Sequence, residues 1–379
     1  MVKIKIEVIP TNYLINIPRK QEFFDKIESD FMLKGIRIKN TFDKPVRVTK
    51  YAFDLKAKGK SQRIILYSEE SIQGKIAELM KFAKRFLKER EGIGEIFRTG
   101  NLQKLLGTKD FCKRAHLSTT TTLEADQETG LLSEHFRIAA NDIIDELVIT
   151  AYYIKENEES KVQISIPVIE YKTKNQYIFP VKGSWYSIGN WDDVVSGHRG
   201  TWSQEFAFDL AQLDNTLQIL EKQKRPNEEF PCYGKEVIAI ADGEVMESVN
   251  TFPDNPASDT DMTDEQITEH TKKEGFVAVG AGNYVILKHK NDEYSFYAHL
   301  IPSSLKVKKG DKVKQGQVLG KVGNSGYSTG PHLHFQLMDR PSHLTGRGLP
   351  CQFINIKNCY GLSIKSVDQA NSIIHTFDL

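Results

Sequence analysis

The segment Gly330-Pro331-His332-Leu333-His334-Phe335 places two imidazoles two residues apart. On a β-strand, residues i and i+2 share a face. His332 and His334 therefore stand side by side, while Leu333 and Phe335 turn the other way into a core. Two histidines so placed can bind a metal ion together, or one can bind while its neighbour moves protons. Other residues of the same chemistry lie nearby in sequence. His299 closes the apolar run Tyr297-Ala298-His299-Leu300, and His198 follows a glycine in Gly197-His198-Arg199-Gly200. Asp209 sits among apolar neighbours in Phe206-Ala207-Phe208-Asp209-Leu210. A carboxylate in that company is costly unless something pairs with it. A zinc ion would serve, because catalytic zinc takes three ligands of the His/Asp type and leaves a fourth position for water.

These residues need a scaffold, and 379 residues are long for one domain, so two domains are expected. The N-terminal stretch 1–172 alternates in the manner of strands. Gly35–Lys39 alternates apolar and basic residues, Asn40–Pro45 has turn chemistry, and Val46–Phe53 resumes the period of two. Arg63–Tyr67 reads as a further strand, and Leu147–Ile154 with Lys161–Val168 reads as a hairpin around the polar stretch 155–160. Ile76, Leu79, Met80, Ala83, Phe86 and Leu87 instead fall at helical spacing, which predicts an amphipathic helix near 72–90. The expectation is a β-sandwich-like module with an inserted helix. After a short linker, residues 178–350 read as a second, antiparallel β domain with glycines at its turns. The acidic stretch from Asn250 to Thr271 interrupts two strand patterns and is expected as a surface loop bordering the active-site groove. Residues 351–379 read as a C-terminal tail.

The order of the pieces in the second half resembles the lysostaphin/LytM family of zinc endopeptidases, which cut peptidoglycan peptides. The resemblance rests on Tyr233-Gly234-Lys235-Glu236-Val237-Ile238-Ala239-Ile240-Ala241-Asp242-Gly243-Glu244-Val245, on Gly282–Leu287 and on Tyr297-Ala298-His299-Leu300. It continues through Gly310-Asp311-Lys312-Val313-Lys314-Gln315-Gly316-Gln317 and Gly323–Gly330 into the His-x-His. It covers about residues 190–340 and implies a peptidase domain of the barrel-sandwich-hybrid type. By position it implies Zn2+ held by His198, Asp209 and His334. It also implies that His299 and His332 orient or deprotonate the attacking water and stabilise the transition state. One departure stands out: ten residues separate His198 from Asp209 where the family places three. The insert from Arg199 to Phe208 must loop out for both side chains to reach one metal. His289, in a Lys-His-Lys turn, is the rival for the first ligand.

Other readings follow from the same residues. A non-catalytic relative would keep the fold and act as a binding or activator module. The Gly-Asp-x-Val-x-x-Gly-Gln turn also resembles biotinyl/lipoyl carrier domains, which need a modifiable lysine in a tight hairpin and no histidines. The formal net charge of +1 removes a large electrostatic footprint for nucleic acid. The cysteines, Cys112, Cys232, Cys351 and Cys359, form no C-x-x-C pair and read as free thiols. No segment has the length and apolarity of a signal peptide or membrane span, so the protein is expected to be cytoplasmic as synthesised, with a peptide or peptidoglycan as its substrate.

Overall fold

The computed structural model describes residues 4–21, 24–87, 116–192, 198–213, 224–260 and 262–378. The described residues form two compact units that divide between Tyr171 and Lys172. Both are mainly β.

In the first unit, two sheets enclose one core. The long strand Lys26–Asn40 pairs with Ile4–Ile9, with Arg19–Gln21 and with Glu128–Ala140. The second sheet runs Leu14–Asn16, Glu158–Glu170, Glu146–Lys155, Val46–Ala57, Lys60–Ser68. Alternation along these strands sends Val46, Val48, Phe53, Leu55, Ile149 and Ala151 into the shared core with Phe31, Leu33, Ile36 and Ile38. The hairpin turn is tighter than its polar stretch suggests. Lys155 pairs directly with Glu158, and Glu156 and Asn157 both take positive φ, at 50° and 67°. That is the two-residue connection whose twist suits paired strands. The expected helix is α1 (Glu69–Leu87), with Ile72, Ile76 and Leu79 buried. Residues 88–90 of that expectation lie outside the described residues, as does Cys112.

The second unit is built on a sheet of eleven strands. Its centre runs Gly243–Val249, Asn283–Lys288, Tyr294–Leu300, Leu333–Met338, Phe208–Ala211, Ser184–Gly189. Every one of these neighbours is antiparallel. A small second sheet pairs Glu236–Ile238 with Val318–Lys321. The stretch 351–379 is not a loose tail. Ile373–Thr376 pairs with Ser184–Tyr186, and Ile356–Asn358 pairs with Ile373–Thr376 in turn. The apolar residues that made its role unreadable, Ile356 and Ile374, are fully buried. Between Val249 and Asn283 the chain forms two short helices, α2 (Asp264–Glu274) and α3 (Phe276–Ala281). A capping box at Thr263 and Gln266 starts α2.

Candidate metal centre and active site

The central strand pairs bring the key side chains together. Asp209 lies directly opposite His334 across two antiparallel strands, and His334 lies opposite Ala298 on its other side. Directly opposed residues project from the same face about 5 Å apart. The flanking pairs Phe208–Phe335 and Leu210–Leu333 therefore face the other way. There Phe208 and Phe335 stack at 5.0 Å and Phe335 meets Tyr297 at 5.3 Å, forming the apolar layer beneath the site.

His198 arrives from outside the sheet, on a 3-10 turn at His198–Gly200. The residues between it and Asp209 fold as a packed loop. The Arg199 guanidinium is buried over the rings of Trp191 and Phe206, 5.2 and 4.9 Å from their centres. The Trp202 carbonyl accepts from Gly348 N–H at 3.1 Å. Gly348 permits this approach, since a Cβ there would sit 2.7 Å from the Ser203 carbonyl oxygen. The lengthened spacing thus still delivers His198 to Asp209, with Nε2 3.3 Å from Oδ2.

His198, Asp209 and His334 each offer one ligand atom, and the three atoms lie within 4.8 Å of one another. The donor chemistry fits a divalent cation. His334 Nε2 donates to Gln336 Oε1 at 2.9 Å, which leaves the Nδ1 lone pair facing Asp209 Oδ1, also at 2.9 Å. Two such acceptors repel unless positive charge lies between them. Two imidazoles and one carboxylate are a ligand set that zinc accepts, and the Gln336 contact is the outer partner that fixes a ligand's tautomer. Burial acts to raise the Asp209 carboxyl, but His198, His332 and His334 outweigh it and hold the group well below the usual carboxylate range. Without a metal, a proton between His334 Nδ1 and Asp209 Oδ1 supplies the positive charge: burial acts to lower His334, and the Asp209 hydrogen bond and charge outweigh it and raise it.

His299 and His332 flank this cluster with ring centres 4.6 Å apart. Their tautomers are set by backbone carbonyls, which only accept. His299 Nδ1 donates to Ser325 O and His332 Nδ1 donates to Gly330 O, each at 2.8 Å. Each ring therefore keeps its Nε2 lone pair for other work. His332 Nε2 lies 3.7 Å from Asp209 Oδ1. Burial, reinforced by His332 and His334, pushes His299 well below its ordinary pKa, so it is neutral at neutral pH. Its backbone is left-handed, with φ 62°, where the pairing with the neighbouring strand shifts register. Strain of this kind costs on the order of 1–3 kcal/mol and persists where neighbours over-determine it. Here Gly323 N–H holds the His299 carbonyl at 3.0 Å.

His289, the rival ligand, lies elsewhere. It is buried, with Nδ1 donating to the Asp242 carbonyl and Nε2 2.7 Å from Ser295 Oγ. Its position in a charged turn disguised a core residue. Among the described residues, none of the stretch Asn250–Thr271 lines the cavity. It backs the loop Gly323–Gly330 instead, with Asn255 Nδ2 donating to the Gly326 and Ser328 carbonyls and Asp259 N–H to Thr329 O. The residues that border the cavity come just after it, on α3.

A cavity of about 460 Å³ opens over the cluster, and some of its lining escaped the sequence reading. His343 stacks on Phe296 at 4.9 Å and is pushed down to about 3 by burial and by His334 and His198. It lies in a turn with no spacing to mark it. Thr201 and Gln204 also line the cavity. The long His–Asp interval was the signal that could have found them.

The sequence profile described as peptidase family M23 matches residues 229–345. That span holds His299, His332 and His334 but begins after His198 and Asp209. The peptidoglycan DD-endopeptidase ShyA of Vibrio cholerae is 52% identical over 60 residues, 16% of this chain and 14% of that protein. An uncharacterized metalloprotease of Buchnera aphidicola is 45% identical over 189 residues, 49% of this chain and 43% of that protein. The glycyl-glycine endopeptidase ALE-1 of Staphylococcus capitis is 45% identical over 110 residues, 29% of this chain and 23% of that protein. The chain thus spans less than half the length of each of these relatives. Among solved structures, the catalytic domain of lysostaphin from Staphylococcus simulans has 24% identity and a TM-score of 0.24, covering 45% of this chain and 85% of that one. From the profile match and these relatives, the chain carries a peptidase family M23 domain over residues 229–345.

Proposed function

We propose that the second unit is a zinc-dependent endopeptidase that hydrolyses peptide bonds in peptidoglycan, with His198, Asp209 and His334 as the metal ligands. The observation that carries the reading is the convergence of those three ligand atoms within 4.8 Å beside the paired rings of His299 and His332. Relatives named as a peptidoglycan DD-endopeptidase and a glycyl-glycine endopeptidase support the substrate class.

Zinc, when bound, supplies Lewis acidity toward the scissile carbonyl and toward the attacking water. The chain's own residues do the rest. Asp209 contributes the negative charge that holds a dication, and Gln336 keeps His334 in the tautomer that presents Nδ1. His299 and His332 are the proton carriers. Each has its Nδ1 proton tied to a carbonyl and its Nε2 free to take a proton from water and return it to the leaving amine. His299 starts neutral, as a base must. The apolar layer of Phe208, Phe335 and Tyr297 supports the cluster from below.

Metal content by plasma mass spectrometry, with release of fragments from purified peptidoglycan, tests this reading. About one zinc per chain is expected in the wild type, and loss of both metal and activity in His334→Ala. His299→Ala should keep the metal while turnover falls ~10²–10⁴-fold, the range for a positioned acid–base group. A wild-type chain that takes up no zinc on reconstitution, or that binds zinc and cuts no peptidoglycan, would overturn it.

A further inference from the structure

The cavity over the metal cluster has walls of different chemistry, and both come from segments that lengthen the chain between site strands. The insert 199–208 contributes the hydrogen-bonding side chains of Thr201 and Gln204. The connection 250–282 contributes Phe276 and Val277 from α3. Tyr327, on the loop leading to the His-x-His, lines the same cavity with its side chain 68% exposed. Among the described lining residues, Asp209 is the only Asp, Glu, Lys or Arg, and its carboxylate is taken up by the three imidazoles.

The apolar residues are held as one rigid piece. Tyr327 N–H is shared by the Val279 and Gly280 carbonyls, both at 3.0 Å. Asn283 N–H donates to Ser325 Oγ at 2.9 Å. At the end of α3 the two backbones touch. A Cβ on Gly282 would meet Ser325 at 2.2 Å, and a Cβ on Gly326 would meet Gly282 N at 2.2 Å. Both glycines also sit at positive φ, 64° and 78°, so no other residue fits there without moving the wall. A surface fixed in this way selects by fit, because it cannot fold away from a poor ligand.

We propose that Phe276, Val277 and Tyr327 are specificity-determining residues that receive an uncharged aliphatic side chain next to the scissile bond. The inference rests on the peptidase reading of the site. Thr201 and Gln204 supply donors and acceptors for the substrate's main chain. A charged side chain placed against Phe276 and Val277 loses water and gains no partner from that wall. An added methylene against an apolar wall changes discrimination by roughly 10–200-fold.

The test uses acetylated tetrapeptide amides with Gly-Gly, L-Ala, D-Ala, Leu, Lys or Glu on either side of the central bond. Calorimetric titration is made into the zinc-loaded full-length His332→Ala chain, and cleavage rates are measured in parallel on the wild type. At least one aliphatic peptide is expected to bind ~10-fold or more tightly than tetraglycine, with the Lys and Glu peptides no better than tetraglycine. Adding Phe276→Ala should remove most of the aliphatic advantage, lowering aliphatic affinity far more than tetraglycine affinity. Tyr327→Ala, at an exposed position, gives the same readout should Phe276→Ala fail to fold. The proposal is overturned if charged and aliphatic peptides bind alike, if no peptide binds at millimolar concentration, or if the variants weaken every peptide equally. An aliphatic preference in binding without cleavage of any peptide by the wild type would leave the wall standing and remove the peptidase reading.

Discussion

Each unit of this protein sets a carboxylate opposite a nitrogen base on the neighbouring antiparallel strand. In the first unit Asp30 is fully buried and pairs across the sheet with Arg137, whose guanidinium reaches it at 2.7 Å, while His135 Nε2 approaches at 2.9 Å. In the second unit Asp209 pairs across the sheet with His334 and also meets His198 and His332. The backbone arrangement is the same and the chemistry is opposite. A guanidinium is a permanent cation with no lone pair to offer, so Asp30 is neutralised from within and its cluster is closed. Imidazoles carry lone pairs and charge only when protonated, so the Asp209 cluster gathers ligands that call for positive charge from outside. What separates a structural ion pair from the proposed metal site is the residue facing the carboxylate, and strand pairing supplies either one equally well.

Exchanging roles between the two carboxylates breaks the comparison most sharply at Asp209. Asp209→Ala should leave the fold intact, reduce bound zinc at least tenfold and lower peptidoglycan hydrolysis by ~10³-fold or more, the range associated with losing a catalytic metal's charge. Retained zinc in that variant would place the ligand set elsewhere. Asp30→Ala should do the reverse. It leaves zinc and hydrolysis unchanged and destabilises the first unit by about 2 kcal/mol, the lower part of the range for hydrogen bonds to charged groups, because Arg137 is 38% exposed and regains water. Denaturant unfolding beside metal analysis reads both effects, and a fall in zinc would undo the separation of roles.

The smallest effect concerns a histidine that is neither ligand nor proton carrier. Burial holds His289 below its ordinary pKa, against the opposing pull of the Asp242 carbonyl and Glu293. The unfolded chain titrates near pKa ~6.5 and so takes up its proton first as pH falls. Stability is therefore full above about pH 6.5 and declines below it, until the folded-state pKa is passed. His289→Asn should show a shallower fall of melting temperature between about pH 6.5 and 5 than the wild type. Equal slopes would mean that His289 contributes nothing to acid sensitivity.

Much of this was legible in the sequence because period two forces it. The shared face of His332 and His334 and the opposite turn of Phe335 into the core follow from strand geometry alone. The core positions of Val46–Phe53 were readable in the same way, and those of α1 from helical spacing. The cross-strand register was not, because no local pattern states that Asp209 opposes His334 or that Asp30 opposes Arg137. His343 was missed for the same reason: it reaches the cavity through a turn whose residues carry no period. The strands Ile356–Asn358 and Ile373–Thr376 were too short for alternation to emerge. The loop expectation at Asn250–Thr271 fell a few residues early, since composition marked the acidic stretch while the cavity is bordered by the apolar helix that follows it.

The left-handed backbone at His299 sets conformation against chemistry at a single position. Glycine or asparagine is the residue that φ 62° favours, and either would relax the strand end, yet neither can carry a proton. Under the proposed function, selection for turnover would hold histidine at this site while selection for folding alone would drift away from it. Position 299 is then one where a more stable protein and a more active one call for different residues.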